Sequence, residues 1–224
     1  MPGVKEKESI EFMSRDLGAN CRLCRREGLK LFLKGPRCTS EKCALAKRAY
    51  APGQHGQGSK KGRVKLSNYG LQLREKQKVK RTYGVREKQF RRYFTIASKS
   101  KGVTGKILLQ ILERRLDNVV FQTGFAVSRD QARQIVSHGS VYVNQHRVNV
   151  ASFLVKNGDI LELKAKPKAA EQIKEHIKLS ADRTKAPWLD IDTEKLSAKV
   201  IRLPEKDDIQ MPIEEQLIVE LYSK

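Results

Sequence analysis

The amino-acid sequence predicts an α+β protein, and three observations carry that prediction. Apolar residues recur at spacings of three and four between positions 71 and 136, the period of amphipathic helices. The period shortens to two after Gly139, which marks short strands. Ahead of both lies a loop holding all four cysteines of the chain, Cys21, Cys24, Cys38 and Cys43.

Taken in order, residues 1–20 read as a weakly structured extension. Residues 51–68 are rich in Gly, Lys and Ser, a composition that needs a partner to order it. Phe90, Tyr93, Phe94 and Ala97 then form an aromatic stripe, read as core rather than as a stacking surface for bases, with Lys88, Arg91 and Arg92 on the other face. The stripe Ile107, Leu108, Ile111, Leu112, Leu116 and Val119 predicts one continuous helix over 104–120. Ser128 is a good N-cap for the next helix, and Gln131 three residues on completes a capping box. Ala132, Ile135 and Val136 face inward, and Gly139 supplies the stop. Val141, Val143, Val148 and Val150 alternate around a turn at 144–146, which reads as a hairpin. Asn157-Gly158-Asp159 is a second turn, leading into a strand over 160–163. A helix is expected over 168–179, and three strand-like runs at 188–191, 199–203 and 217–222. The chain divides into four parts: an extension and cysteine loop (1–50), a basic loop and helical domain (51–104), a helix-pair and small-sheet module (105–180), and C-terminal strands (181–224).

Lys and Arg number 46 against 25 Asp and Glu, a formal net charge of +21. Such a charge opposes compaction unless a polyanion neutralises it, and nucleic acid is the usual one, because each cation on a phosphate releases a counterion. The basic excess spreads over several segments, which favours a broad RNA footprint over a single tail. From Ala186 to Lys224 the balance reverses, with nine acidic residues against five basic ones. That end suits the protein's own basic surface, or a basic protein neighbour, better than phosphate. No apolar run approaches the ~18 residues of a membrane span, and the N-terminus has no secretory h-region, so the expected compartment is the cytoplasm. No Gly-rich nucleotide loop precedes a helix and no nucleophile sits beside a convincing His or carboxylate. An enzyme and a small-molecule substrate are therefore not expected.

The cysteines are spaced C-x2-C-x13-C-x4-C. Two close pairs on one loop can surround a tetrahedral ion, and Zn2+ binds thiolates at ~2.3 Å. Arg22, Arg25 and Arg26 favour the thiolate form. Four unrelated free cysteines or two disulfides are the bland alternatives, and disulfides disagree with a cytosolic setting. The expectation is one structural zinc ion, with an iron–sulfur cluster as the second choice because four thiolates alone do not separate the two.

A second constellation runs through Arg114, Arg115 and Asn118, then Arg129, Gln131, Arg133 and Gln134, then His138, Asn144 and Arg147. Arg, Asn and Gln bond both phosphate oxygens and base or ribose edges. Arg129 and Arg133 are four apart and share one helix face. The ordinary reading, an exposed charged helix, weighs about equally on these residues alone. Lys47, Arg48, His55 and Arg81 extend the candidate RNA-binding set toward the N-terminus.

ERRLDNVVFQTGFAVSRDQARQIVSHGSVYVN (Glu113–Asn144) closely resembles the RNA-binding module of the bacterial small-subunit ribosomal protein four family. The family pattern continues in APGQHG (51–56), LREKQKVKRTYGV (73–85), VKNGD (155–159) and the closing EQLIVELYSK. The module alone also occurs in some tRNA synthetases, pseudouridine synthases and heat-shock proteins, so the matches outside it select the ribosomal family. An RNA-binding translation or ribosome quality-control factor carrying the same module is the alternative. The cysteine loop resembles the metal-binding variant of the family.

The resemblance implies a mostly helical domain into which the module is inserted, with the acidic C-terminal strands returning to the first domain. It implies early binding to a multi-helix junction in the 5′ domain of small-subunit rRNA and nucleation of assembly. It also implies contact with small-subunit ribosomal proteins five and three, a place along the channel through which mRNA enters, and support of translational accuracy. Lys60, Lys61, Arg63 and Lys65 occupy the basic stretch that faces mRNA in the family.

Overall fold

The structure is a computed structural model that describes residues 18–54, 56, 66–164, 167–180, 186–209 and 211–223. Among these it has nine α-helices and five strands. Helix α1 (Asn20–Glu27), a 3-10 turn (Gly35–Cys38) and the single-turn α2 (Ala44–Lys47) form the cysteine segment. Helices α3 (Asn68–Thr82), α4 (Glu87–Lys99) and α5 (Thr104–Glu113) follow, then α6 (Leu116–Gln122) and α7 (Arg129–Ser137). Strands β1 (Val141–Val143), β2 (His146–Arg147) and β3 (Ile160–Leu163) precede α8 (Pro167–Leu179), β4 (Leu189–Asp192), β5 (Ser197–Val200) and α9 (Glu215–Tyr222).

Among the described residues two large apolar cores stand apart, beside a small cluster of Cys24, Leu31 and Leu33 in the cysteine segment. The first joins α3, α4, α5 and α9 through Val79, Phe90, Ala97, Leu112, Ile213 and Ile218. The predicted aromatic stripe lies here, with Phe90 and Ala97 fully buried. The second lies under the antiparallel sheet, ordered β2-β1-β3-β5-β4, and is built from Val119, Phe125, Val136, Val141, Leu161 and Trp188 among others. The hairpin turns on Asn144 and Gln145, both at positive φ (49° and 68°), as the two central residues of a two-residue hairpin loop require.

Four expectations need correction. The helix predicted over 104–120 breaks between Glu113 and Leu116, where Arg115 is extended (φ −63°, ψ 135°). The amides of Leu116 and Asp117 there donate to the carbonyls of Phe153 and Ala151 (2.8 and 3.2 Å), so the segment bonds sideways to a loop. Helix α5 consequently packs in the first core. The capping box is only half formed. The Ser128 hydroxyl accepts from the Gln131 amide (3.3 Å), but Gln131 Oε1 accepts from the Val127 amide (2.9 Å).

The other two corrections concern the C-terminal segment. Strands β4 and β5 do not return to the helical domain. They extend the module sheet, with Leu161 opposite Ala198 and Ile191 opposite Ala198 on the far side. Residues 217–222 are not a strand but most of α9, which does return. The run is β-branched and continuous, hence strand-like, yet 217, 218, 221 and 222 also share a helical face. Helix α9 crosses α5 where Gly105 leaves room; a Cβ there would stand 2.5 Å from Glu215 Cγ. Tyr222 stacks on Phe94 at 4.6 Å and on Phe90 at 6.2 Å. Its hydroxyl donates to Glu87 (2.9 Å).

Glu87 thus gathers Tyr222, Lys76 and Lys80 onto one carboxylate (2.7 and 2.9 Å to the two lysines). Partial burial works to raise its pKa, but hydrogen bonds from Lys76, Lys80 and Tyr222 prevail and lower it from the usual 4.5 to about 2. A depressed carboxylate contributes stability that is full above the unfolded-state value and lost as pH falls through the folded one. Glu87→Gln should therefore destabilise the chain above pH 4.5, and the deficit should shrink between pH 4.5 and 2. Urea unfolding of both proteins across that range checks it; a deficit constant with pH would rule out the ion cluster as the cause.

Candidate nucleic-acid interface

The break before α6 decides which of the predicted cations face solvent. Arg115 is only 1 % exposed. Its guanidinium grips Asp117 with two bonds (Nε–Oδ1 3.0 Å, Nη2–Oδ2 2.5 Å) and donates to the Tyr93 hydroxyl (2.7 Å). Burial works to lower its pKa, and Asp117 and Tyr93 raise it beyond the ordinary value. Asn118, also 1 % exposed, donates to Glu113 (2.7 Å) and accepts from Arg129 Nε (2.8 Å). Arg115 and Asn118 thus lie inside the fold rather than on the surface that the sequence pattern suggested. Their polar groups are bonded internally.

Several other candidates are partly spent. Arg129 lies over the rings of Phe121 (4.4 Å) and Tyr83 (5.1 Å). Arg81 pairs with Glu27, which Arg74 also reaches at 3.3 Å. Burial outweighs those two arginines and leaves the Glu27 carboxyl raised. Arg114 is half-buried and donates to the Val155 carbonyl (2.8 Å), its pKa lowered by burial. Gln131 Nε2 stands 3.0 Å from His176 Nε2. Asn144 bonds Asp159 (2.9 Å) and the Ile160 amide (3.0 Å), which closes its turn.

What remains on the module surface is compact. Gln134 and His138 are exposed on α7 and just beyond it. Arg147 reaches from the hairpin to the carbonyls of Gly139 (2.8 Å) and His138 (3.1 Å), and so draws β2 against the C-terminal end of α7. Arg133 donates to the Gly84 carbonyl (3.3 Å), which sets the exposed face of α7 beside the start of α4. There Lys88 and Arg92 are exposed four residues apart, and among the described residues neither enters an ion pair. They were legible as the polar face opposite the aromatic stripe, but not as candidates for binding, because only the fold ties α7 to the turn that leads into their helix. Lys47 and Arg48 are exposed at the end of α2. His55, Lys60, Lys61, Arg63 and Lys65 lie outside the described residues.

The cysteine segment brings its four sulfurs into one neighbourhood. Cys24, Cys38 and Cys43 are buried and Cys21 is half-buried. Burial pushes the Cys24 thiol up, the Leu31 amide pulls it back, and the other three cysteines add to the rise. Burial likewise raises Cys38, although the Lys34 amide donates to its sulfur (3.3 Å). Cys43 is lowered, chiefly by the Ala46 amide. Four cysteines, three of them with a backbone amide on the sulfur, suit a soft ion in kind. Among the described residues, however, no group of three or more His, Cys, Asp or Glu is arranged to hold a metal ion. No helix among the described residues is long and apolar enough to cross a membrane.

Two family models match the chain in succession. Residues 15–113 match the ribosomal protein S4/S9 N-terminal domain, and residues 114–161 match the S4 domain. The seam between them falls at the break that buries Arg115. Relatives called small ribosomal subunit protein uS4 align over 212 residues, 95 % of this chain and all of each relative. The protein of Acetivibrio thermocellus is 58 % identical, that of Caldicellulosiruptor saccharolyticus 59 % and that of Thermodesulfovibrio yellowstonii 55 %. With matched segments on both units and end-to-end alignment at this identity, the chain belongs to the small ribosomal subunit protein uS4 family.

Proposed function

We propose that this chain is a structural, non-catalytic constituent of the small ribosomal subunit, working in the cytoplasm and binding small-subunit rRNA directly. The observation that carries the reading is the presence of exposed polar side chains on both units, Lys88 and Arg92 on α4 and Gln134 and His138 at α7, on a chain of net charge +21 in which Arg133 ties α7 to the turn before α4. Cations position the phosphate backbone and amide-bearing side chains read edges, so the two units together offer both. Full-length similarity to uS4 proteins supports the ribosomal setting over a free quality-control factor.

The finer reading follows from the family resemblance. The rRNA target is a multi-helix junction of the 5′ domain, and binding there nucleates assembly. The basic stretch with Lys60, Lys61, Arg63 and Lys65 lies toward mRNA, and small-subunit ribosomal proteins five and three are neighbours that tie the chain to translational accuracy. The cysteines Cys21, Cys24, Cys38 and Cys43 hold one structural zinc ion, with an iron–sulfur cluster as the alternative. The metal would supply local folding energy to a segment with little apolar core of its own.

Affinity for a 5′-domain rRNA transcript should fall by about 10³-fold or more between low and moderate salt, as expected of a protein with many phosphate contacts. Arg92→Ala and Lys88→Ala should each weaken binding and reduce the salt slope by about one unit. Filter binding over a salt series reads both; unchanged affinity and slope in both variants would remove this face from the interface. For the metal, freshly purified protein should contain one equivalent of zinc, and Cys24→Ser should release it and loosen residues 20–45 in hydrogen exchange. Elemental analysis finding neither zinc nor iron would sink that part of the proposal.

A further inference from the structure

The two apolar cores are separated by a layer of buried polar groups, an expensive way to build a joint. Each buried donor must find its acceptor or forfeit its solvation. Here each does. On one side Arg115 is held by Asp117 and by Tyr93 of α4. On the other, Glu113 accepts from the Tyr83 hydroxyl and from Asn118. Burial and Glu113 drive the Tyr83 pKa well above its usual value, so its hydroxyl stays protonated and donates. Arg129 closes the second set by bonding Asn118 and covering the Tyr83 ring. Among the described buried side chains only the Ser180 hydroxyl lacks a partner, and it is not part of this layer.

Three of these contacts cross between the units: Arg115 to the Tyr93 hydroxyl, Asn118 to Glu113, and Arg129 over the Tyr83 ring, while the Tyr83–Glu113 bond holds the acceptor that Asn118 uses. Tyr83 and Tyr93 belong to the helical unit, whereas Arg115, Asn118 and Arg129 belong to the module. An apolar seam tolerates sliding because dispersion has no direction. Guanidinium–carboxylate and hydroxyl bonds have strict angles. The cysteine segment adds a close contact on the same joint: Gly35, at φ +54°, lies against Val127, where a Cβ would meet the carbonyl oxygen at 2.8 Å.

We propose that Arg115, with Tyr93 and Tyr83, is a positioning set: it fixes the angle between helical unit and module, so that the α4 and α7 faces meet RNA already aligned. The inference rests on the RNA-binding reading above and adds to it which residues set the geometry without touching RNA. A joint that is rigid before binding spares the ordering cost that association otherwise imposes.

The test uses Tyr93→Phe and Tyr83→Phe in the full chain, each deleting one oxygen and leaving the ring, with Arg115→Gln, which removes the charge, as a third variant. Affinity for the 5′-domain transcript is measured over a salt series, well below each variant's melting temperature. Each Tyr→Phe variant should bind about tenfold more weakly, the size of one lost hydrogen bond to a charged group, with an unchanged salt slope because no phosphate contact is removed. Small-angle scattering of the free protein should broaden. A purely structural role would lower the melting temperature yet leave affinity intact in the folded range, and that result overturns the proposal. So does a slope reduced by about one unit in Arg115→Gln, which removes the charge and would make Arg115 a phosphate contact. If the unsubstituted chain lacks salt-steep binding, the proposed function falls and takes this inference with it. Equal affinities in a chain that does bind remove only the positioning role.

Discussion

A single buried guanidinium shapes most of this molecule. Arg115 is surrounded by protein, and an arginine cannot shed its charge to ease that burial. It therefore needs a carboxylate at fixed range, and Asp117 two residues on provides it. Two residues apart on a helix, the side chains would point to different faces. The pairing requires the extended backbone at Arg115 that splits α5 from α6. The energies agree on which effect wins. Helix propensity amounts to a few tenths of a kcal/mol per residue, whereas leaving one member of a buried pair uncompensated costs about 3–5 kcal/mol, a large fraction of the ~5–15 kcal/mol that a whole fold has to spare.

The break has consequences on both sides. The amides freed at Leu116 and Asp117 are taken by the 151–153 loop, and that loop leads into Val155 and the strand that starts the sheet's long pairing. Before the break, α5 is left to the first core, where Leu108 and Leu112 are buried with Phe90 and Ile218. The chain then spends residues 116–200 on the module and comes back through Arg202, whose guanidinium clasps Asp208 with two bonds of 2.7 Å. Helix α9 completes the first core from the far end of the sequence. The acidic bias of the C-terminal segment makes sense in that position: Glu220 accepts from Gln72 (2.8 Å) and Glu215 pairs with Lys206 (2.7 Å). Glu214 is joined to α3 through its backbone amide and Glu75 (2.8 Å).

The charge of the chain sorts into two populations. Arg115 is internal and Arg81 and Arg129 are half-buried, all three balanced by carboxylates or by aromatic faces. Lys88, Arg92 and Arg147 remain at the surface. A count of basic residues merges the two, although an arginine already paired has little left to offer a phosphate. Arg147 shows a mixed case, because two of its donors serve the carbonyls at the end of α7 while its side chain stays exposed. Such an arginine shapes the surface it belongs to.

The sequence by itself determined the local elements whose signals are short-ranged. The aromatic stripe of α4, the Ser128 cap, the Gly139 stop and the Asn144 turn all rest on spacings within one or two turns of chain, and each stands in the structure. Similarity along 212 residues likewise placed the family without any coordinates. Only the tertiary structure decided which polar residues are inside. Nothing within a few residues of Arg115 or Asn118 distinguishes them from Arg133 or Gln134, because burial is set by Tyr93 and Tyr83 arriving from more than twenty residues away. The same holds for residues 217–222, whose apolar run serves strand or helix equally until α3, α4 and α5 present a groove that fits a helix. Periodicity is a property of the local chain, whereas burial and the partner of a charge are properties of whatever the rest of the chain packs against it.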